Sequence, residues 1–179
     1  VIKILGPGAA LNFDGVNDFV NVPNNSSFSF GTNDFTIETW AKTTMSIGNA
    51  VMIGKIFGPN NYWFGVASGK ANFSLIGGTD ATGTTTISDG NWHHLAAVRK
   101  SGVVSLYVDG VLEATQVNTG NATISNDLAI GNFGGTGFHY AGSLDEVRVW
   151  NRGLCRGELL NNKNGELTLP QTGLVAYYK

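Results

Sequence analysis

The 179-residue chain is poor in charged side chains. Lys, Arg, Asp and Glu make up 13% of it, whereas typical domains carry about 25%. The net charge is −2, and the eleven Lys and Arg residues are scattered. Because phosphate backbones are bound by clustered cations, the composition argues against nucleic acid as a partner. The surface is expected to be rich in Asn, Thr, Ser and Gly, which suits a secreted binding module.

Cysteine and long apolar runs are also scarce. The single cysteine, Cys155, cannot form an internal disulfide, and we expect it to be a small buried apolar residue. No apolar run approaches the roughly 20 residues that a membrane-spanning helix needs. Residues 1–10 lack the regions of a signal peptide, so they give no direct signal for export, which is expected here from the composition.

Short alternating segments, separated by turn residues, predict antiparallel strands. Residues 35–42 and 144–150 alternate in polarity, and residues 103–108 form a compact apolar run. Asp109-Gly110 lies between two such runs and is a strong signal for a type I′ hairpin turn. Ser68-Gly69 and Ser101-Gly102 predict two more hairpins. One stretch, near residues 152–162, predicts a short helix, and its two glycines lower the helix propensity.

Six segments in order resemble the LamG-like (laminin G-like) jelly-roll domain of the concanavalin A-like lectin/glucanase superfamily. They are residues 10–20 (ALNFDGVNDFV), 35–40 (FTIETW), 89–99 (DGNWHHLAAVR), 105–110 (SLYVDG), 129–131 (AIG) and 142–152 (GSLDEVRVWNR). The resemblance implies an all-β fold, in which two antiparallel sheets form a sandwich about 10 Å thick. We expect one domain over residues 1–179. Residues 174–179 are either the start of a following repeat in a larger multidomain protein or a closing strand.

Catalysis is not expected, although the superfamily includes glucanases. Related glucanases place carboxylates two residues apart on one strand, and retaining glycosidases need carboxyl groups about 5–5.5 Å apart. None of the five glutamates has a carboxylate two residues away. Strict alternation in residues 144–150 places Leu144, Glu146, Arg148 and Trp150 on one face and Asp145, Val147 and Val149 on the other. No zinc motif or nucleophile elbow is present.

A structural calcium ion is one interpretation of the turn at residues 14–18. Calcium prefers several carboxylate and carbonyl oxygens, and this turn carries Asp14, Asn17 and Asp18. In jelly-roll relatives a calcium joins a segment near the N-terminus to an aspartate on the last strand, which the resemblance matches to Asp145. The predicted metal set is therefore Asp14, Asn17, Asp18 and Asp145. The alternative is an ordinary turn in which Asp18 caps local amides.

Two loop regions carry aromatic and amide side chains of the kind that bind sugars. Their candidate ligand-binding residues are Asn60, Asn61, Tyr62, Trp63, His139 and Tyr140. Lys55 is a further candidate in the first region. Tyr62 and Trp63 are equally compatible with a core strand. We predict a non-catalytic extracellular module that binds carbohydrate. The alternatives are a protein-binding or adhesive spacer, with a cell-surface protein as partner, and a degenerate glycosidase without activity.

Overall fold

The computed structural model describes residues 10–55, 60–133 and 137–179. Within them lie thirteen strands and one α-helix, and a 3₁₀ turn at Ser26–Phe28. In chain order the elements are β1 (Leu11–Asp14), β2 (Val20–Val22), β3 (Phe35–Thr43), β4 (Asn49–Lys55), β5 (Tyr62–Ala67), β6 (Lys70–Leu75), β7 (Ala81–Thr86), β8 (Trp92–Lys100), β9 (Val103–Val108), β10 (Val111–Val117), β11 (Leu128–Ile130), β12 (Ala141–Trp150), α1 (Arg156–Asn162) and β13 (Leu174–Tyr178). The predicted all-β architecture with one short helix is confirmed.

The strands form two antiparallel sheets. The seven-stranded sheet has the order β1-β12-β3-β8-β9-β10, and its seventh strand, β13, also pairs with β12. The six-stranded sheet has the order β2-β11-β4-β5-β6-β7. β12 pairs with β3 along one edge and with β1 and then β13 along the other. The first and last strands of the described chain therefore follow one another along the same edge of β12.

The core lies between the sheets and is built by alternation. Phe35 and Ile37 of β3 face Tyr62 and Phe64 of β5 in one continuous apolar cluster, and all four are fully buried. A strand that buries every second residue sends the residues between them to the outer face. The outer face of each sheet is thus where polar or functional side chains can lie.

A second, smaller cluster covers the outer face of the seven-stranded sheet. Leu154 precedes α1 and Leu159 lies on it. Both pack against Ala96, Val98 and Trp150. The predicted helix is present, but it begins at Arg156. Cys155 precedes it and is exposed. The expectation of a buried cysteine was wrong, because leucines supply the apolar face of this segment.

All three predicted hairpin turns are present. Asp109 and Gly110 have φ values of 53° and 80° between β9 and β10, the left-handed pair that a type I′ turn requires. The turns at 68–69 and 101–102 likewise have positive φ at both positions. No helix in the parts of the chain that the structure describes has the length and apolar character to cross a membrane.

The predicted alternation of β12 was wrong at its centre. Leu144 was expected on the face opposite Val147 and Val149, yet all three lie in the inter-sheet core. The pairing with β3 shifts by one residue within positions 145–148, and Glu146 has a φ of 54°. A β-bulge of this kind adds one residue to a strand and inverts the pattern after it.

Candidate functional site

Trp63 lies on the outer face of the six-stranded sheet. Its neighbours Tyr62 and Phe64 are fully buried in the core, so the alternation of β5 turns Trp63 outward and leaves it partly exposed. Gly54 on β4 and Ser74 on β6 are its cross-strand partners. Both of these directly paired residues are small, so neither covers the Trp63 ring.

The loop between β11 and β12 folds back over β4, next to Trp63. The Gly131 N–H donates to the Met52 carbonyl at 2.9 Å, and the Val51 N–H donates to the Phe138 carbonyl at 2.9 Å. Two backbone hydrogen bonds to one strand thus fix the two ends of this loop. The loop brings two large aromatic side chains, Phe133 and Phe138, to the cavity that Trp63 lines.

Phe133 and Phe138 of this loop face Trp63 across a narrow opening. Their ring centroids are 5.3 Å apart with an interplanar angle of 63°, an edge-to-face arrangement. Together with Trp63, Asn49 and Val51 they line a cavity of about 170 Å³, which we call the aromatic slot. Its size suits one small ring, because sites for larger ligands are roughly 300–1,000 Å³.

Phe138 has features of a contact residue. Its side chain is 51% exposed, although full burial of such a side chain would yield about 1.5–3 kcal/mol. Its backbone has a φ of 52°, a conformation that is uncommon for a bulky residue and costs of order 1–3 kcal/mol. An exposed aromatic side chain held in a strained conformation at a cavity is typical of a ligand clamp.

The chemistry of the slot is that of binding. Its three aromatic rings and Val51 present apolar surface, and the Asn49 amide offers both a donor and an acceptor. None of the five described residues that line it has an acidic, basic or nucleophilic side chain. Such a surface can stack the C–H face of a ring while an amide pairs with a hydroxyl group.

Two of the predicted ligand-binding residues belong to the core and are corrected here. Tyr62 is fully buried, and its hydroxyl donates to the Phe28 carbonyl at 3.0 Å. Tyr140 is also fully buried, and its hydroxyl donates to the Lys42 carbonyl at 3.1 Å. Burial raises the pKa of both phenols. Neither side chain can reach a ligand without opening the sandwich.

The other predicted ligand-binding residues, Trp63 excepted, do not line the slot. The Asn60 side chain donates to the Thr123 carbonyl at 3.1 Å, and the Asn61 carbonyl accepts from Ile76. His139 is partly buried and is not among the residues that line the slot. Of the six predicted residues, only Trp63 contributes to the aromatic slot.

Lys55, the further ligand-binding candidate of the first loop region, is fully buried. Its ammonium group donates to the Asn24 side chain at 2.7 Å. Burial lowers its pKa, while the charge of Asp127 opposes that shift. Lys55 therefore ties the segment before the 3₁₀ turn to β4 and is a structural residue.

The predicted calcium ligands do not meet at one point. Asp14 Oδ1 accepts from the N–H groups of Val16 and Asn17, and Asp18 Oδ2 accepts from the Asp14 N–H. These bonds form a closed turn. The N–H of Val16, and then that of Asn17, lower the pKa of Asp14.

Asp145 lies apart from this turn. Asp14 is the register partner of Ala141, so Asp145 is four positions further along β12, or roughly 13 Å at 3.3 Å per residue. Asp145 is buried, and burial raises its pKa. Among the described residues no three His, Cys, Asp or Glu side chains are grouped so as to hold a metal ion. The four-residue set thus does not fit a single calcium ion, and calcium at the turn itself stays a prediction.

Four of the five described residues that line the slot were not among the predicted site residues: Asn49, Val51, Phe133 and Phe138. Asn49 begins an ordinary strand and carries no signal. Phe133 and Phe138 flank a glycine-rich loop, and large aromatic residues in such a loop were the one available indication. Their convergence on Trp63 depends on how the loop packs on β4, which the sequence pattern does not encode.

The chain belongs to the concanavalin A-like lectin/glucanases superfamily. A laminin G-type family model with that description matches residues 14–159, which confirms the resemblance predicted from six short segments. No curated protein sequence matches the chain significantly.

Solved structures with the same fold include two from carbohydrate-related proteins. A candidate carbohydrate binding protein from Bacteroides ovatus ATCC 8483 matches with a TM-score of 0.79 and 22% identity, over 98% of this chain and 52% of that one. Domain 4 of AbnA, a GH43 extracellular arabinanase from Geobacillus stearothermophilus in complex with arabinotriose, matches with a TM-score of 0.65 and 20% identity, over 86% of this chain and 76% of that one.

A third match is to domains LG4-5 of the mouse laminin α1 chain. The TM-score is 0.64 and the identity 18%, over 83% of this chain and 44% of that one. The chain spans about half the length of the Bacteroides and laminin structures that it matches. At these identities the similarity shows the shared fold.

Proposed function

We propose that this domain is a non-catalytic carbohydrate-binding module and that the aromatic slot is its sugar site. The observation that carries the proposal is the convergence of Trp63, Phe133 and Phe138 on one small opening beside the Asn49 amide. Sugars present an apolar C–H face and a rim of hydroxyl groups, and stacked aromatic rings with a few polar groups match both.

The charge of the site favours a neutral sugar. Among the described residues no charged side chain lines the slot, so none of them offers an anionic sugar a cation in place of the water that the sugar would lose on binding. The absence of carboxylates among the lining residues also fits binding without hydrolysis, since glycosidases need two carboxyl groups across the bond. We therefore expect binding without turnover.

The comparisons support this proposal at the level of the class. Two of the matching structures come from proteins described as carbohydrate-binding or as holding arabinotriose. One of those is described as part of an extracellular enzyme, in line with the low charge of this chain. We propose an extracellular location, and a place for this domain within a larger multidomain protein.

The test is a glycan array with a matched pair of variants. Phe138 and Phe19 are both exposed phenylalanines in loops, at 51% and 46%, but only Phe138 lines the slot. F138A is expected to weaken binding to the preferred neutral glycan roughly five- to tenfold, from the loss of about 1–1.5 kcal/mol of ring contact. F19A should bind like the native chain.

Two results would overturn the proposal. One is equal binding by both variants to the same glycan, which would place the sugar elsewhere. The other is saturable binding to a protein partner together with no binding to any glycan, which would favour the adhesive module. Product formation from a bound oligosaccharide would contradict the non-catalytic part.

A further inference from the structure

The opposite face of the sandwich carries a second enclosed feature. Residues 165–172, which we call the strap, lie between α1 and β13 in the chain. The strap passes over Trp150 and the end of α1, on the outer face of the seven-stranded sheet. Trp63 and the aromatic slot are on the other sheet.

Three hydrogen bonds from β12, β13 and the segment after β12 anchor the strap. Arg148 Nη2 donates to the Gly165 carbonyl at 2.7 Å, and the Leu167 N–H donates to the Tyr177 hydroxyl at 3.2 Å. Arg152 Nε donates to the Thr172 carbonyl at 2.8 Å. Anchors at the start, middle and end hold the strap against the sheet, so the space beneath it is preformed.

The anchor at Arg148 is itself fixed by a buried polar network. Arg148 is fully buried and pairs with Glu146, whose carboxylate also accepts from Tyr177 at 2.6 Å. A second guanidinium nitrogen donates to the Asn162 carbonyl at 2.8 Å. The Asn162 side chain donates to buried Glu38 at 2.8 Å. These hydrogen bonds hold the anchor in place, although Arg148 Nε and Glu38 Oε2 have no hydrogen-bond partner among the described residues.

A cavity of about 320 Å³ opens between α1 and the strap. This volume is at the lower end of the range for small-molecule sites, roughly 300–1,000 Å³. Polar groups dominate its lining. The residues that matter here are Trp150, Arg152, Asn161, Asn162, Thr168 and Gln171.

The charges at the cavity cancel in pairs. Arg152 forms an ion pair with Glu158 at 2.7 Å, and Glu166 forms one with Lys179 at 2.6 Å. What remains is the amides of Asn161, Asn162 and Gln171 and the hydroxyl of Thr168, groups that both donate and accept hydrogen bonds. The Asn162 amide already donates one hydrogen bond to Glu38, and the Gln171 amide donates one to the Thr168 carbonyl, so each of these two amides has one N–H group left to donate. Vicinal hydroxyl groups of a sugar are donors and acceptors in the same way, whereas an ion would have to break one of these pairs.

We propose that this cavity, the strap cavity, is a second binding site, specific for a neutral sugar. Its position on the opposite sheet makes it independent of the aromatic slot. A module with both sites would bind two sugars at once and so could cross-link two glycan chains or hold one chain on both faces. The proposal goes beyond the function assigned to the slot and does not depend on it.

The test is an amide NMR titration of the F138A variant, so that the slot contributes little. The neutral probes are D-glucose, D-galactose, D-mannose and L-arabinose, and the charged probes are D-glucuronate and D-glucosamine. We expect at least one neutral sugar to give saturable shifts at the side-chain amides of Asn161, Asn162 and Gln171. The charged probes should bind at least roughly tenfold more weakly.

Asn161 and Asn164 provide a matched pair of variants. Both side chains are exposed near the end of α1, but only Asn161 lines the cavity. N161A should weaken the binding of that sugar roughly three- to tenfold, as the loss of one or two hydrogen bonds implies, and N164A should leave it within about twofold.

The proposal is overturned if none of the four neutral sugars gives saturable shifts at the cavity, if a charged probe binds as well as the best neutral one, or if N161A and N164A behave alike. None of these results bears on the slot, which the array experiment tests separately.

Discussion

At the scale of single residues, a shift of one position along a strand separates a core residue from a residue of the candidate site. Tyr62 and Trp63 were equally good candidates from sequence, since both are aromatic and follow an Asn-rich segment. The pairing of β5 with β4 and β6 places Tyr62 between the sheets and Trp63 outside. Composition identified the segment, and only the pairing decided which ring is accessible.

His93 gives a prediction for the dependence of stability on pH. Its Nδ1 lies 2.8 Å from Asp109 Oδ2, and its Nε2 lies 3.2 Å from Asp89 Oδ1. Burial alone would lower the pKa of His93, but the two carboxylates outweigh it and raise the pKa above 6.5. Hydrogen bonds from Asn91 lower the pKa of Asp89 to about 2, so that acid is ionised throughout the working range.

A raised histidine pKa stabilises the fold below the pKa of the unfolded chain, and that stabilisation is lost as pH rises through the folded-state value. We therefore expect the native chain to have a higher free energy of unfolding than H93Q. This difference between the two chains should be largest below about pH 6 and should become smaller towards pH 8. Urea denaturation at a series of pH values measures it. A difference that is constant with pH, or that grows as pH rises, would contradict the assignment.

At the scale of elements, regular strands and turns were predictable and irregular segments were not. Asp109-Gly110 predicted its hairpin because few other residue pairs adopt two successive left-handed conformations. The bulge in β12 has no such signal, since Glu146 is not a residue that favours positive φ. The strap was not predicted either, because buried Arg148 and Glu38 hold it through contacts that are distant in sequence.

The buried network beneath the strap predicts a large effect of one substitution. Arg148 is fully buried between Glu38 and Glu146, whereas the side chain of Arg152 is 35% exposed beside Glu158. R148M leaves buried carboxylates unpaired and should lower the free energy of unfolding by roughly 3–5 kcal/mol. R152M should lower it by about 1–2 kcal/mol, because an exposed ion pair contributes about 0–1 kcal/mol and the hydrogen bond to the Thr172 carbonyl about 0.5–1.5 kcal/mol.

Chemical denaturation of both variants tests this difference. Equal losses would mean that the Arg148 network does not stabilise the strap. A further loss in the R148M,E146Q double variant would also count against it, since removing the unpaired charge should restore part of the stability.

At the scale of the whole molecule, the order of short motifs predicted the architecture well. Six weak segments identified the superfamily, and the family match over residues 14–159 agrees. Leu174–Tyr178 pairs with β12 beside the position of β1, while its role as the start of a following repeat stays a prediction. The site was predicted poorly, because it forms where a loop meets a sheet, and such contacts vary independently of the fold.

Calcium at the turn of residues 14–18 is a prediction about the whole molecule, because this turn connects β1 of the seven-stranded sheet to β2 of the six-stranded sheet. A bound ion raises the melting temperature by mass action. We expect calcium to raise Tm and a chelator to lower it, and D18N should abolish the difference. Identical melting curves in calcium and in chelator would contradict calcium binding at this turn.

The most direct test of the central claim, that sugar binds at the aromatic slot, is ¹⁹F NMR of the chain labelled with 5-fluorotryptophan. The chain has four tryptophans, so four resonances can be assigned by single Trp→Phe substitutions. On titration with the glycan that the array identifies, the Trp63 resonance should move and saturate at the affinity of the whole domain. A glycan that binds with the same affinity while the Trp63 resonance stays unchanged would contradict the account.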